Sequence, residues 1–197
     1  MLSAHFTTEP LRILALDPGT NTLGVAWIEL CLVSGRITLV YGGTFSADRY
    51  ADFDSSLQWS IGQRAIKLDY HRQNLQQLLF QYQPHVVASE APFMGRFPQA
   101  YAALVECCNV ITHTVLGYDP SLQVQFVDPP TAKLSVGALT RKGSKENVQE
   151  SIRALVDAGR LFIHPSVPFL ELDEHTYDAI AVGYWSATTF QLQLRRN

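Results

Sequence analysis

Cysteine is scarce in this chain: Cys31, Cys107 and Cys108 are the three in 197 residues. The number is odd and two are adjacent, so neither a zinc-ligand spacing nor a disulfide framework is present. Buried reduced thiols are the expected state. Charge is also sparse, with 17% Asp, Glu, Lys and Arg and a formal net charge of -3. The total therefore does not advertise nucleic-acid binding; the distribution of charge matters more. No apolar run reaches the length of a membrane span, so no membrane partner is expected. Met1 to Pro10 carries His5 and Glu9 and lacks a basic-then-apolar signal pattern. Residues 1–10 are expected to be a flexible leader, and the protein to be cytoplasmic. There is no internal repeat, low-complexity tract or interdomain linker. Hydrophobic residues make up 47%, enough for a sizeable core, so 11–197 are expected to form one domain.

Hydrophobic patterning predicts three strands in succession: Arg12 to Asp17, Gly24 to Val33 and Arg36 to Tyr41. Short turns between them imply an antiparallel meander. Ser55 to Tyr82 is helical by the spacing of Ile61, Ala65, Leu68, Leu75, Leu78 and Leu79. A buried strand then runs from His85 to Ser89 and delivers Glu90 into a Pro- and Gly-containing loop. Ala100 to Leu116 reads as a helix and Leu122 to Val127 as a strand. Pro129-Pro130 opens a short helix, and further helices begin near Ser144 and Asp173. The expected class is α/β, a mixed five-stranded sheet (the antiparallel meander plus parallel strands) flanked by helices.

Asp17-Pro18-Gly19-Thr20 follows the apolar run Leu11 to Leu16. An aspartate therefore sits where a buried strand meets a tight turn, because Pro fixes φ and Gly admits φ > 0. Glu90 repeats the device at the end of Val86-Val87-Ala88-Ser89. An exposed strand-end glutamate would look the same in isolation. The third element is Asp173-Glu174-His175-Thr176-Tyr177-Asp178. His175 and Asp178 are spaced i, i+3, which puts both on one helix face. Acidic residues suit a helix N-terminus, which accounts for Asp173 and Glu174; Asp178 lies deeper, beside apolar neighbours. Two strand-end carboxylates plus Asp and His on one helical turn fit a hard-cation site, since Mg²⁺ prefers oxygen ligands. Two such ions can clamp the attacking and leaving oxygens of a phosphodiester. Histidine there can ligate or donate a proton, and Asp173 is the alternative ligand if the helix register differs.

These motifs resemble the RuvC family of Holliday-junction resolvases, within the ribonuclease H-like superfamily. The resemblance rests on Asp17-Pro18-Gly19-Thr20 with Gly24, on Glu90-Ala91-Pro92-Phe93, on Pro130, Lys133, Val136-Gly137, Lys145 and Val148, and on His175-Thr176-Tyr177-Asp178-Ala179. It spans roughly residues 11 to 190. It implies a ribonuclease H-like fold and a metal-dependent endonuclease that resolves four-way DNA junctions by paired phosphodiester hydrolysis. Asp17, Glu90, His175 and Asp178 would be the catalytic and metal-binding residues, with two Mg²⁺ ions, or Mn²⁺ in their place. Phe93 would enter the junction, and Arg96, Lys133, Arg141, Lys142 and Lys145 would contact the DNA backbone. The partners implied are branched DNA and a second copy of the chain, because a symmetric junction needs two cuts. Tyr101, Leu104, Val105, Val110 and Ile111 are the candidate dimer surface. No helicase partner is indicated. The polar stretch Ser46 to Tyr70 is longer than in the bacterial enzymes, and with the negative charge it suits a phage or viral-type member.

Other readings compete. A different ribonuclease H-like nuclease could act on other branched DNA or on RNA–DNA hybrids. The actin-like and sugar-kinase group also places an Asp-x-Gly-Thr turn after a first strand, but it needs two lobes and leaves His175 and Asp178 unexplained. An inert binding module of the same fold would leave close carboxylates repelling one another.

Overall fold

A computed structural model describes residues 9–48, 60, 62–95, 97–138 and 146–194. Residues 1–8 of the expected leader, residues 55–59 and Ile61 of the expected first helix, and Arg96, Arg141, Lys142 and Lys145 lie outside the described residues. In chain order the elements are β1 (Leu11–Pro18), β2 (Thr22–Leu30), β3 (Ile37–Ser46), α1 (Gln63–Tyr82), β4 (Val86–Glu90), α2 (Pro98–Tyr118), β5 (Val124–Val127), α3 (Pro129–Ser135), α4 (Glu146–Asp157), β6 (Phe162–Ile163), a 3₁₀ turn (Phe169–Glu171) and α5 (Glu174–Leu194).

The sheet order is β5-β4-β1-β2-β3-β6. β1, β2 and β3 form the expected antiparallel meander. β4 joins β1 in parallel and β5 joins β4 in parallel. A sixth strand extends the expected five: Phe162 and Ile163 pair in parallel with Thr38 and Leu39. Two residues are too few to show a period of two, so their pattern carries no strand signal.

Side chains on a strand alternate between faces. Ile13 and Ala15 of β1 therefore enter one core with Ile28, Ile180 and Val182. Leu14 and Leu16 enter the other with Leu75, Leu79, Ile111 and Val115. Both faces are covered, which is why β1 reads as a continuous apolar run. Each fully buried Leu or Ile contributes roughly 1.5–3 kcal/mol relative to exposure. α2 is, among the described residues, the one helix long and apolar enough to cross a membrane by length and composition. That corrects the expectation that no segment reaches such a length. The inner face of α2, with Cys107, Cys108, Ile111 and Val115, is buried.

β3 runs five residues past its expected end at Tyr41, through Gly42 and Gly43. Glycine at 42 suits the packing of this extension. A Cβ there would come within 2.9 Å of Thr176 Cγ2 on the first turn of α5. Gly24 on β2 has the same role, because a Cβ would collide with the His175 carbonyl. The two glycines let the start of α5 lie directly on the sheet.

Candidate nuclease centre

Two parallel strands end together. Leu16 of β1 pairs with Ser89 of β4, so the next residues, Asp17 and Glu90, leave adjacent strand ends at one sheet edge. On the other side Asp17 pairs with Gly24 of β2, over which α5 begins. Asp173 caps that helix: its Oδ1 accepts from the Thr176 amide at 2.8 Å, the Thr176 hydroxyl at 2.8 Å and the Thr44 hydroxyl at 2.7 Å. Tyr177, 1% exposed, packs inward and donates its hydroxyl to the Phe169 carbonyl at 2.8 Å. With Thr176 and Tyr177 both anchored, His175 and Asp178 are left to face the cleft.

Asp17, Glu90, Asp178, His175 and Lys133 all line one cleft of about 410 Å³. Glu174, Gln149 and Leu104 complete part of its wall. His175 Nδ1 lies 3.0 Å from Asp17 Oδ2, and Nε2 lies 3.1 Å from Thr22 Oγ1. Lys133 Nζ is 3.7 Å from Asp178 Oδ1. Burial, followed by the negative charges of Asp17 and Asp178, pushes the Glu90 carboxyl up to about 8. Burial also raises Asp178, partly offset by Lys133. The hydrogen bond that His175 makes to the Asp17 carboxylate raises its imidazole above the ordinary value, against the opposing effect of its burial. Burial raises Asp173, but the hydrogen bonds from Thr44 and Thr176 outweigh it and leave that carboxyl below its usual range.

The cleft is thus short of positive charge. Four carboxylates, Asp17, Glu90, Glu174 and Asp178, share the cleft with Lys133 and one imidazole, and in water-poor surroundings such groups either take up protons or take up a cation. Among the described residues, no three His, Cys, Asp or Glu side chains are close enough to be a preassembled metal shell.

The four expected metal-site residues Asp17, Glu90, His175 and Asp178 therefore line one cleft, and Lys133, expected as a contact to the DNA backbone, lines it with them. Asp173 is not among them, because it is spent on capping. Phe93 lies outside the cleft, 55% exposed in the loop after β4, with Met94 and Phe97 also exposed nearby. The candidate dimer residues on α2 divide: Ile111 is core, Leu104 lines the cleft, and Tyr101, Val105 and Val110 are half-buried. Sequence reasoning missed Thr22. The signal for it was the alternation of β2, which puts Thr22 on the same face as Gly24.

No protein-family model matches the chain. Curated sequences do. A crossover junction endodeoxyribonuclease RuvC of Albidiferax ferrireducens is 26% identical over 147 residues, covering 74% of this chain and 72% of that protein. One of Dehalococcoides mccartyi is 27% identical over 151 residues, covering 77% and 81%. A third, from Cytophaga hutchinsonii, is 32% identical over 92 residues, which is 47% of this chain and 40% of that protein. Among solved structures, T. thermophilus RuvC in complex with a Holliday junction substrate superposes with a TM-score of 0.67 at 14% identity, covering 93% and 97%. The yeast mitochondrial Holliday junction resolvase Ydc2 gives 0.67 at 13% identity, covering 98% and 83%. By these likenesses the chain is RuvC-like in sequence and ribonuclease H-like in fold.

Proposed function

We propose that this chain is a divalent-metal-dependent endonuclease that resolves four-way DNA junctions by paired phosphodiester hydrolysis. The observation that carries the reading is the convergence of carboxylates from three separate elements, Asp17 of β1, Glu90 of β4 and Asp178 of α5, on one cleft. The donor set fits a hard divalent cation, because it is oxygen-rich, negatively charged and partly desolvated. Asp17, Glu90 and Asp178 would hold two Mg²⁺ or Mn²⁺ ions, which would supply an activated water and neutralise charge on the scissile phosphate. His175 bonds the Asp17 carboxylate and fixes which way its oxygens point. Lys133 lies on the cleft wall, where its ammonium can meet a phosphate oxygen. No covalent enzyme intermediate is required.

Around this centre, Phe93 would stack on a base at the branch point. Arg96, Arg141, Lys142 and Lys145 would carry backbone contacts. A homodimer would supply two matched sites for the two symmetric cuts. The cytoplasm is the compartment that this reading implies.

The test is nicking of a synthetic four-way junction with Mg²⁺, wild type against Asp17→Asn. Wild type should cut in symmetric positions, while Asp17→Asn should bind the junction and not cut it. Equal cleavage by the two proteins would sink the assignment. Preference for an RNA–DNA hybrid or a flap in a parallel panel would move it to another ribonuclease H-like nuclease.

A further inference from the structure

We propose that the groove along the C-terminal half of α5 docks an acidic segment of a partner protein, with its carboxylates on Arg36 and Arg160 and an apolar side chain laid against Phe162 and Leu192. The inference goes beyond the nuclease reading above and does not rest on it.

The groove has a volume of about 790 Å³ and shares no lining residue with the nuclease cleft. Tyr184, Thr188, Gln191 and Leu192 form one wall. Their spacing, i, i+4, i+7, i+8, is one face of α5. At about 1.5 Å per residue, that wall starts roughly 9 Å past Asp178 and ends roughly 21 Å past it. Most of the remaining lining comes from two turns and the last strand of the sheet. Arg36 follows the β2–β3 turn, Arg160 follows the end of α4, and Phe162 lies on β6. Both turns are anchored. The Gln191 side-chain amide donates to the carbonyl of Gly35, which sits at a φ of 71°. Gly159, at a φ of 67°, closes α4. Its amide reaches the Val156 carbonyl at 2.9 Å, and the Arg160 amide reaches the Leu155 carbonyl at 2.9 Å. Both arginines therefore enter the lining from fixed backbone, which lowers the ordering cost of binding.

Charge identifies the occupant. The lining holds two arginines and neither Asp nor Glu. Neither guanidinium has an ion-pair partner among the described residues. In a chain of net charge -3, that is a local excess of positive charge with nothing to balance it. Arg36 lies over the Phe162 ring, 4.3 Å from its centroid. A guanidinium on an aromatic face keeps its edge donors for a carboxylate. Apolar surface accompanies the charge, since Phe162 is 39% and Leu192 57% exposed. Arginine and aromatic residues together are the composition of protein interfaces. A DNA backbone would satisfy the arginines and gain nothing from Phe162 or Leu192, because it is held through phosphate and sugar by polar donors. An acidic segment carrying an apolar residue satisfies both.

The probe is a short fluorescein-labelled peptide in which Asp and Glu flank a Leu-Phe pair. One control peptide replaces every acid by Lys; the other replaces Leu and Phe by Ser. By fluorescence anisotropy, wild type should bind the probe at least about tenfold more tightly than either control. The double variant Arg36→Glu, Arg160→Glu should lose at least about tenfold in affinity for the probe, and added salt should weaken wild-type binding. Leu192→Ser should weaken the probe and leave the Ser control unchanged. Arg36 and Arg160 are exposed, so the double variant should melt with wild type; the Arg36→Gln, Arg160→Gln pair replaces it if it does not fold. Four-way-junction binding should be the same in wild type and the double variant. Equal affinity for probe and Lys control, or undiminished probe binding by the arginine variants, would overturn the proposal. A matching loss of junction binding in the double variant would also overturn it, by assigning the two cations to DNA. Light scattering in which wild type self-associates and the double variant does not would overturn it in favour of a second copy of the chain.

Discussion

Gly24 of β2 lies directly beneath the His175 carbonyl, and there is no room between them for a Cβ. The obstructing atoms are backbone, so no rotamer change can relieve the clash. Gly24→Ala must therefore push the first turn of α5 off the sheet. Overpacking of this kind costs typically about 1–3 kcal/mol, and a backbone collision belongs at the upper end. For a chain of this size the melting temperature should fall by roughly 6–12 °C. Because His175 and Asp178 travel with that turn, junction cleavage should be lost even at temperatures where the variant is folded. Calorimetry and a cleavage assay on one preparation check both outcomes; a variant with wild-type melting would refute the close approach.

Metal removal should expose the strain of the carboxylate cluster. In the metal-free protein Glu90 titrates near 8, raised by burial and then by Asp17 and Asp178. A carboxyl whose folded-state value lies above its unfolded value contributes stability that is present below about 4.5 and is lost as pH rises through the folded value. The melting temperature of metal-free protein should therefore decline between about pH 4.5 and 8. Mg²⁺ should restore it at the alkaline end, where the carboxylates are free to bind. Glu90→Gln should flatten the metal-free profile and abolish both cleavage and most of the Mg²⁺ stabilisation. A melting profile in which Glu90→Gln declines as steeply as wild type would contradict the electrostatic account.

The ends of β1 and β4 were legible in the sequence because the physics there is local. An apolar run must be buried, and a carboxylate with Pro next to it, as at Asp17-Pro18, or one residue on, as at Glu90-Ala91-Pro92, marks its end. The i, i+3 spacing of His175 and Asp178 was legible for the same reason. Other features depend on contacts that only the fold creates. Asp173 and Asp178 are equivalent as letters, and capping by Thr176 and Thr44 separates them. Gly42 reads as a strand end until α5 is laid over it. Phe162 and Ile163 become a strand only beside β3. Thr22 acquires meaning only when His175 arrives from 153 residues away.

His71 links the helix layer to the turn that carries Asp17. It is 5% exposed, and its Nε2 lies 3.1 Å from the Thr20 carbonyl, to which it donates. Nδ1 is buried and has no hydrogen-bond partner among the described residues. Burial holds the ring below the ordinary imidazole value. A histidine depressed in the folded state contributes stability that is present above its unfolded value of about 6.5 and is lost as pH falls from there through its folded value. His71→Gln, which keeps an amide donor and cannot titrate, should lose less stability than wild type on acidification through that window. Denaturant titrations of both proteins on either side of pH 6.5 measure the difference; parallel losses would show that His71 does not titrate in this way.

Lys133 is the cation that the cleft already owns. Its ammonium is 3.7 Å from Asp178 Oδ1, with both side chains partly exposed, so the pair should contribute little to stability by itself. Lys133→Met should therefore melt within about 2 °C of wild type in the presence of Mg²⁺. Cleavage should fall about tenfold or more, because a phosphate contact of this kind is charge-assisted. Lys133→Arg should recover part of it. A stable variant with undiminished cleavage would remove Lys133 from the centre.

Phe93 gives the sharpest separation between a role in the core and a role in substrate binding. Glu90 ends β4, so the loop that follows leaves from the edge where the cleft opens. Pro92 restricts the backbone, and Gly95 follows within three residues, so the loop is stiff on one side and free to turn on the other. At 55% exposure the ring has little packing to lose. Truncating a core phenylalanine would cost roughly 3–5 kcal/mol; an exposed one should stay within about 0.5 kcal/mol. A base stacked on such a ring gains roughly 1–3 kcal/mol. Since about 1.4 kcal/mol is a factor of ten, Phe93→Ala should lower junction cleavage at least about tenfold while its melting curve overlays that of wild type. Linear duplex offers no unpaired base to stack, so its weak binding should not change. Phe97, 72% exposed at the far end of the same loop, is the internal control: if Phe97→Ala impairs cleavage as much as Phe93→Ala, the effect belongs to the loop as a whole and not to one stacking ring.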